Sequence, residues 1–245
     1  MTLQEHLGGH NGITHTVKNL RNIFSTLEKR CDKFEHYFPL YEKWFEKFVG
    51  KSPKILEIGV YGGGSLEMWS KWFGPGTQVY GVDINKKCRK YNDKDNNINV
   101  IIGDQSSEKF WKEAFENIKD FDIIIDDGSH ESPHQIQTLI STYNLLKDGG
   151  IYWCEDTHTS YYPNRLDGGY KNPKSFIEYS KNVIDVLSDH HTRFAIGYGN
   201  LTGPYVDQKL VKLFNNIQGI HFYDSIVVIE KGPRLDFKRV IVNNE

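Results

Sequence analysis

Apolar residues follow two rhythms along this 245-residue chain. Between residues 54 and 156, short runs of Ile, Val, Leu, Tyr and Phe recur, each closed by glycine or acidic residues. Between them, apolar side chains fall three and four residues apart. The first rhythm predicts strands buried on both faces and the second amphipathic helices. The strands are KILEIGV (54–60), TQVYGVDI (77–84), INVIIGD (98–104), FDIIIDDG (121–128) and GIYWCED (150–156). The helices are SLEMWSKWF (65–73), SEKFWKEAFENI (107–118) and SPHQIQTLISTYNLL (132–146), the last closed by Lys147-Asp148-Gly149-Gly150. Such alternation builds βαβ units, hence a parallel sheet with right-handed crossovers.

The flanks differ. Residues 1–50 read as a helical cap in which Tyr37, Tyr41, Phe45 and Phe48 form one apolar face, with Gly50 ending it and Pro53 marking the turn. Residues 157–200 are rich in Tyr, Gly, Pro and Asn around one helix near 174–188, which suits a lid over a binding site. Residues 219–233 read as an antiparallel hairpin turning near Asp224. The predicted fold is α/β: a doubly wound, Rossmann-like, mostly parallel seven-stranded sheet with an antiparallel C-terminal hairpin strand and an N-terminal helical cap. One domain spans 1–245, with a cofactor-binding core at 51–156, a lid at 157–200 and the closing hairpin at 201–245.

Composition narrows the function classes. Hydrophobic residues make up 38 % and charged residues 25 %, as in a globular domain. A net charge of -2 gives no sign of nucleic-acid binding. The three cysteines, Cys31, Cys88 and Cys154, form no CxxC pair, so neither a disulfide framework nor a zinc site is expected. No apolar run is long enough for a membrane span, the N-terminus lacks a leader pattern, and the expected location is the cytoplasm. Asn200-Leu201-Thr202 matches a glycosylation acceptor that would matter only on secretion.

In an open α/β sheet, ligands bind beyond the carboxyl ends of the strands. The first strand ends Glu57-Ile58-Gly59-Val60-Tyr61-Gly62-Gly63-Gly64-Ser65, where glycines permit a tight turn and close approach of a ligand. A dinucleotide motif GxGxxG needs glycine where Tyr61 stands, which argues against a dehydrogenase. Acidic Glu57 suits a cationic ligand better than a pyrophosphate. Asp83 ends the second strand, where a carboxylate can take ribose hydroxyls, and Asp104-Gln105 ends the third, where a polar pair can read an adenine edge. Each acid alone could be a helix cap. Together their order resembles the class I S-adenosylmethionine (SAM)-dependent methyltransferases. That resemblance implies SAM as cofactor and Glu57, Gly59, Tyr61, Gly62, Ser65, Asp83, Asp104, Gln105 and Asp126 on the cofactor side.

Two further strands end in acid pairs, Asp126-Asp127 and Glu155-Asp156. Clustered carboxylates repel, and a divalent cation relieves the repulsion; oxygen ligands favour Mg²⁺, Mn²⁺ or Ca²⁺ over Zn²⁺. His130, three residues past Asp127, would share its face on a helical turn and stand beside the metal as a general base. Helix capping and solvated loops are the plainer readings of these acids. The segment 93–104 imitates an EF-hand loop, but Ile98 replaces its glycine and Asp104 its glutamate.

The strings IDDGSHESPHQ, IYWCEDTHTSYY and IHFYDSIVVIEK, with DKFEHYFPLYEKWF ahead of the core, resemble the metal-dependent sugar O-methyltransferases of macrolide tailoring (mycinamicin type) and the cephalosporin hydroxylase-like proteins of the same fold. The resemblance covers roughly residues 30 to 235. It implies Mg²⁺ (or Mn²⁺) held by Asp127, Glu155 and Asp156, His130 as base, and a small-molecule sugar acceptor. His158, Tyr161, Tyr162 and Arg165 of the lid, with Tyr170, are expected at the acceptor. A long N-terminal auxiliary domain of the macrolide enzymes is not expected here, and assembly into a homo-oligomer stays open. Two alternatives stand: methylation of a non-sugar oxygen, such as a catechol or phosphoramidate, and a non-catalytic binding module.

Overall fold

The computed structural model describes residues 19–197, 206–234 and 241–242. The N-terminal leader reading, the Asn200-Leu201-Thr202 match and the end of the lid fall outside those residues. Seven strands form one sheet: β1 (Lys54–Ile58), β2 (Gln78–Asp83), β3 (Ile98–Ile102), β4 (Phe121–Asp126), β5 (Leu146–Cys154), β6 (Ile217–Tyr223) and β7 (Ile226–Lys231), in the order β3-β2-β1-β4-β5-β7-β6. Strands β1 to β5 pair in parallel, and β7 runs antiparallel to both of its neighbours. This is the mostly parallel seven-stranded sheet the hydrophobic pattern predicts. The order reverses between β1 and β4, so the ligand crevice belongs above that pair.

Alternation along the strands divides the core into two layers. Ile55, Ile123, Ile125, Ile151, Trp153 and Val228 face α1 (Leu20–Phe24), α2 (Phe38–Phe45) and α3 (Gly64–Phe73), where Tyr41, Phe45, Trp69 and Phe73 pack together. Leu56, Ile58, Ile124, Tyr152, Val227 and Ile229 share the other layer with side chains of α4 (Glu108–Ala114), α5 (Ser132–Thr142), α6 (Phe176–Gly197) and α7 (Gln208–Leu213). The predicted aromatic face of the cap is present: Tyr37, Tyr41 and Phe45 are buried and Phe48 partly so.

Three local expectations change. The Lys147–Gly150 run does not close a helix; it lies inside β5, which begins at Leu146 and breaks register between Phe121 and Ile123. Gly149 supplies a positive φ of 83° there. The lid helix is longer than predicted and reaches Gly197. His130 does not sit on a helical turn. It holds a left-handed φ of 59° in the loop before α5, whose cap is Glu131 and whose first turn carries Pro133.

Candidate functional site

The cleft above β1 and β4 has two chambers. The larger, about 500 Å³, reaches from Asp83 and Asn85 to Asp127, His130, Glu155 and Asp156. The smaller, about 230 Å³, lies between Ile84, Asp104, Gln105, Ser129 and His134. Gly59, Asp83 and Gly128 line both.

On the β1–β3 side, backbone amides organise the acids. Asp83 Oδ2 accepts from the amides of Val60 and Tyr61, both at 3.0 Å, and Oδ1 from that of Asn85 at 2.7 Å. Tyr61, standing where the dinucleotide motif has glycine, takes a left-handed φ of 46° and leaves its ring exposed to the cleft. The glycines make room for protein as much as for ligand. A Cβ on Gly59 would collide with the carbonyl oxygen of Asp127, and one on Gly62 with that of Arg30. Asp104 accepts from Ser106 and opens on the smaller chamber, and the Ser106 hydrogen bonds hold its carboxyl below the usual range.

Four residues expected at the cofactor lie deeper. Gln105 lines the smaller chamber, yet its amide is spent on Asp126, Thr138 and the Ser129 amide. Asp126, 1 % exposed, lines neither chamber; it accepts from Gln105 and from the Gly128 amide. Burial pushes it up to about 6. Glu57, on the same side of its strand as Ile55, is wholly buried beneath the cleft. It accepts from Trp69 Nε1 at 3.2 Å and bonds Ser65, which is itself buried in α3. Burial pushes Glu57 up to about 8.

The β4–β5 side is built from side chains. Asp127 and the Glu155-Asp156 pair lie just past their strand ends, which frees these three residues from strict alternation, whereas Asp126 stays within β4. One donor atom each from Asp127, His130 and Asp156 comes within 4.8 Å of the others. His130 Nε2 lies 3.5 Å from Asp156 Oδ2, while its Nδ1 is buried without a partner. Ligands on opposite sides of one Mg²⁺ stand about 4.2 Å apart, and around Ca²⁺ about 5 Å, so the Asp127 and Asp156 carboxylates are close enough to share one hard divalent ion, with the His130 ring beside it. Glu155 lines the chamber too, but protein donors hold both its oxygens: Tyr41 Oη at 2.6 Å and Trp153 Nε1 at 3.1 Å on Oε1, and Lys33 Nζ at 2.8 Å on Oε2. Burial raises the Asp127 and Glu155 carboxyls, and Lys33 opposes the rise.

The lid is tied to this corner. Thr159 donates to the His130 carbonyl at 2.7 Å, and Arg165 pairs with Glu131 at 2.9 Å, so Arg165 anchors the lid to the loop that carries His130. His158 packs edge-on against Phe34 and Tyr162. Tyr161, Tyr162 and Tyr170 are exposed.

Sequence reasoning missed Lys33, Phe34 and the hydroxyls of Tyr37 and Tyr41. The aromatic periodicity absorbed the tyrosines into an apolar face. Their spacing of four nonetheless delivers Tyr37 Oη to Asp156 and Tyr41 Oη to Glu155, each at 2.6 Å. The signal was tyrosine, rather than phenylalanine, at both positions of a buried stripe.

No family model matches the chain. The mycinamicin VI 2''-O-methyltransferase of Micromonospora griseorubida is 33 % identical over 209 residues, covering 81 % of this chain and 49 % of that protein. The 8-demethyl-8-alpha-L-rhamnosyl tetracenomycin-C 2'-O-methyltransferase of Streptomyces olivaceus is 32 % identical, covering 80 % and 50 %. The solved MycE methyltransferase of the mycinamycin biosynthetic pathway, in complex with Mg, SAH and mycinamycin VI, aligns with a TM-score of 0.70 and 30 % identity, over 88 % of this chain and 54 % of that one. The chain spans about half the length of the curated relatives it matches. The sheet order is that of the Rossmann-like fold of class I SAM-dependent methyltransferases, which the solved relative shares. Within that class it is related to the macrolide and sugar O-methyltransferases of the mycinamicin type.

Proposed function

We propose that the chain transfers a methyl group from SAM to a sugar hydroxyl with the help of a divalent cation. The observation that carries this reading is the convergence of Asp127, His130 and Asp156 in the chamber that Asp83 and Gly59 share with the cofactor side. The relatives' names support it, since those proteins methylate sugar hydroxyls. SAM supplies the methyl group as an electrophile when bound. A divalent cation would be held by Asp127 and Asp156, with Glu155 as the third carboxylate, and would supply acidity to a hydroxyl.

The remaining work belongs to the chain. His130 Nε2 takes the hydroxyl proton, and the neighbouring Asp156 carboxylate favours the protonated ring that results. Thr159 fixes the His130 backbone, so the base does not have to be positioned during the reaction. Phe34, Tyr37 and Tyr61 give the chamber aromatic surface suited to the C–H faces of a sugar. Asp83 keeps lone pairs for ribose hydroxyls. Asp104 and the chamber beside Gln105 suit an adenine edge.

In this reading residues 51–156 bind the cofactor, and of the flanking segments the described part of 1–50 caps them, that of 157–200 covers the acceptor and that of 201–245 closes the sheet. Nucleotide sugars, surface-polysaccharide precursors and glycosylated natural products are the acceptor classes to screen. A reducing cytoplasm accords with three free cysteines, and among the described residues no helix is long and apolar enough to cross a membrane.

Calorimetric titration of S-adenosylhomocysteine into EDTA-treated protein, with and without Mg²⁺, tests the reading when repeated on Asp127→Ala. Micromolar nucleotide binding with a metal site abolished in the variant is the expected result. Nucleotide binding without any metal site retains the methyltransferase and removes the cation from its mechanism. Failure to bind the nucleotide overturns the reading altogether.

A further inference from the structure

One cation already sits among the strand-end acids. The Lys33 side chain is 2 % exposed. Its Nζ lies 2.6 Å from Asp127 Oδ2, 2.8 Å from Glu155 Oε2 and 3.7 Å from Glu57 Oε1. The three carboxylates come from the ends of β4, β5 and β1, whereas Lys33 belongs to the segment between α1 and α2. Of the three ammonium donors, two make the short contacts to Asp127 and Glu155, while Glu57 Oε1, at 3.7 Å, is a charge neighbour beyond hydrogen-bond reach.

We propose that Lys33 holds the place of the divalent ion in the metal-free protein and that the ion displaces its ammonium on binding. The inference rests on the metal-dependent reading above. The oxygens argue for it one by one. Asp156 Oδ2 faces His130 on the cleft side, and among the described residues no hydrogen bond is made to Asp127 Oδ1, so an ion can approach those two atoms directly. Glu155 is different. Tyr41 and Trp153 occupy Oε1, which leaves Oε2 as the oxygen that can turn to an ion, and Lys33 holds that oxygen. Full engagement of Asp127 and Glu155 by a divalent ion therefore requires the ammonium to withdraw. Two cations on one pair of carboxylates also repel, so the ammonium lowers affinity for the ion for as long as it stays.

The exchange gives the site two stable states. Without metal, Lys33 neutralises part of a buried acid cluster that would otherwise oppose folding. With metal, the cation inside the cluster changes while the fold remains. Phe34 comes directly after Lys33 in the chain and lines the larger chamber against His158, so withdrawal of Lys33 moves a wall of the acceptor site. Loading of the ion and shaping of that wall become one event.

The test is titration of Mg²⁺ alone into the EDTA-treated full chain, in the native form and as Lys33→Met and Lys33→Arg. Lys33→Met is expected to bind Mg²⁺ about tenfold more tightly or better, because a competing charge is gone. Its thermal midpoint in EDTA falls, and its rise on adding Mg²⁺ exceeds that of the native chain. Lys33→Arg keeps the charge and shows no gain in affinity. Equal or weaker Mg²⁺ binding by Lys33→Met overturns the exchange and makes Lys33 an ordinary structural ion pair, while the metal site itself stands. Absence of Mg²⁺ binding in native chain and variant alike removes the metal reading and the inference together. If Lys33→Met does not fold, amine labelling of the native chain read by mass spectrometry decides: Lys33 labels faster with Mg²⁺ if it is displaced, and at an unchanged rate if it is not.

Discussion

The two sides of the cleft are held in place by different materials. On the β1–β3 side, Asp83 is gripped by three backbone amides from the turn it faces and the residues just after it. On the β4–β5 side, Glu155 and Asp156 are gripped by side chains more than a hundred residues away: Lys33, Tyr37 and Tyr41. A backbone-held carboxylate survives substitution of its neighbours, because every residue except proline offers the same donor. A side-chain-held carboxylate depends on particular residues. Outside its glycines, the turn around Asp83 should therefore tolerate sequence change, and the acid side should not.

The largest expected break is chemical. His130→Ala removes the proposed base and should lower kcat by about 10²–10⁴-fold. Affinity for S-adenosylhomocysteine should stay unchanged, since no described contact links the His130 side chain to Asp83 or Asp104. Parallel rate and binding measurements check the split; a matching loss of nucleotide affinity would erase the division between the two sides.

The second way to sharpen the comparison is pH. Burial pushes Glu57 up to about 8, Asp127 to about 6 and Glu155 to about 7. Their folded values lie above their unfolded ones, so the metal-free fold binds more protons than the unfolded chain. That stabilising contribution is complete below the unfolded values and fades as pH rises through about 6 to 8. The carboxyls held low, Asp104 and Glu131 among them, act in the opposite sense but only at more acidic pH. Thermal melts in EDTA should accordingly show a higher midpoint at pH 6 than at pH 8.5. Mg²⁺ should flatten that slope, because it favours the deprotonated acids. A metal-free midpoint that climbs towards pH 8.5 would refute the assignment of these groups.

The smallest effect distinguishes the two tyrosines. Tyr41→Phe leaves the fully buried Glu155 without one donor and should cost about 1.5–3 kcal/mol, since hydrogen bonds to charged groups lie in that range. Tyr37→Phe acts on Asp156, which is partly exposed and can recruit water, and should cost less. Urea denaturation of both variants orders them.

The contrast also explains what the sequence disclosed. The sheet, its order of elements and the acidic strand ends were legible because periodicity and turn residues are local. Asp83 and Asp104 were found at the cleft because a strand end announces itself. Glu57 was expected at the cationic cofactor, but it is buried beneath the cleft and the cation near it, 3.7 Å away, is Lys33. Nothing local marks residue 33 as the partner of residues 127 and 155, and only the packing of α2 across the sheet brings them together. His130 was singled out for its chemistry and placed on the wrong backbone, because the loop of Gly128 and Ser129 delays the helix until Ser132. The left-handed residues at the site, Tyr61, His130 and Asp156, were illegible for the same reason.

The reversed strand β7 carries a practical consequence. Because it runs against β5, its Val227 end lies beside Cys154, and the hairpin turn arrives at the same rim as the acids. The carbonyl of Ser225 in that turn accepts from the Thr157 amide at 3.0 Å, where the lid leaves the sheet. The described loops that follow β1 to β5 at this rim each leave a parallel strand and must preserve a crossover. The β6–β7 turn preserves only a hairpin, so its length can vary without disturbing strand order. It is the natural port for grafting: residues inserted at Asp224–Ser225 would border Thr157, His158 and Tyr161 of the lid, and a fluorophore there would report the lid's position.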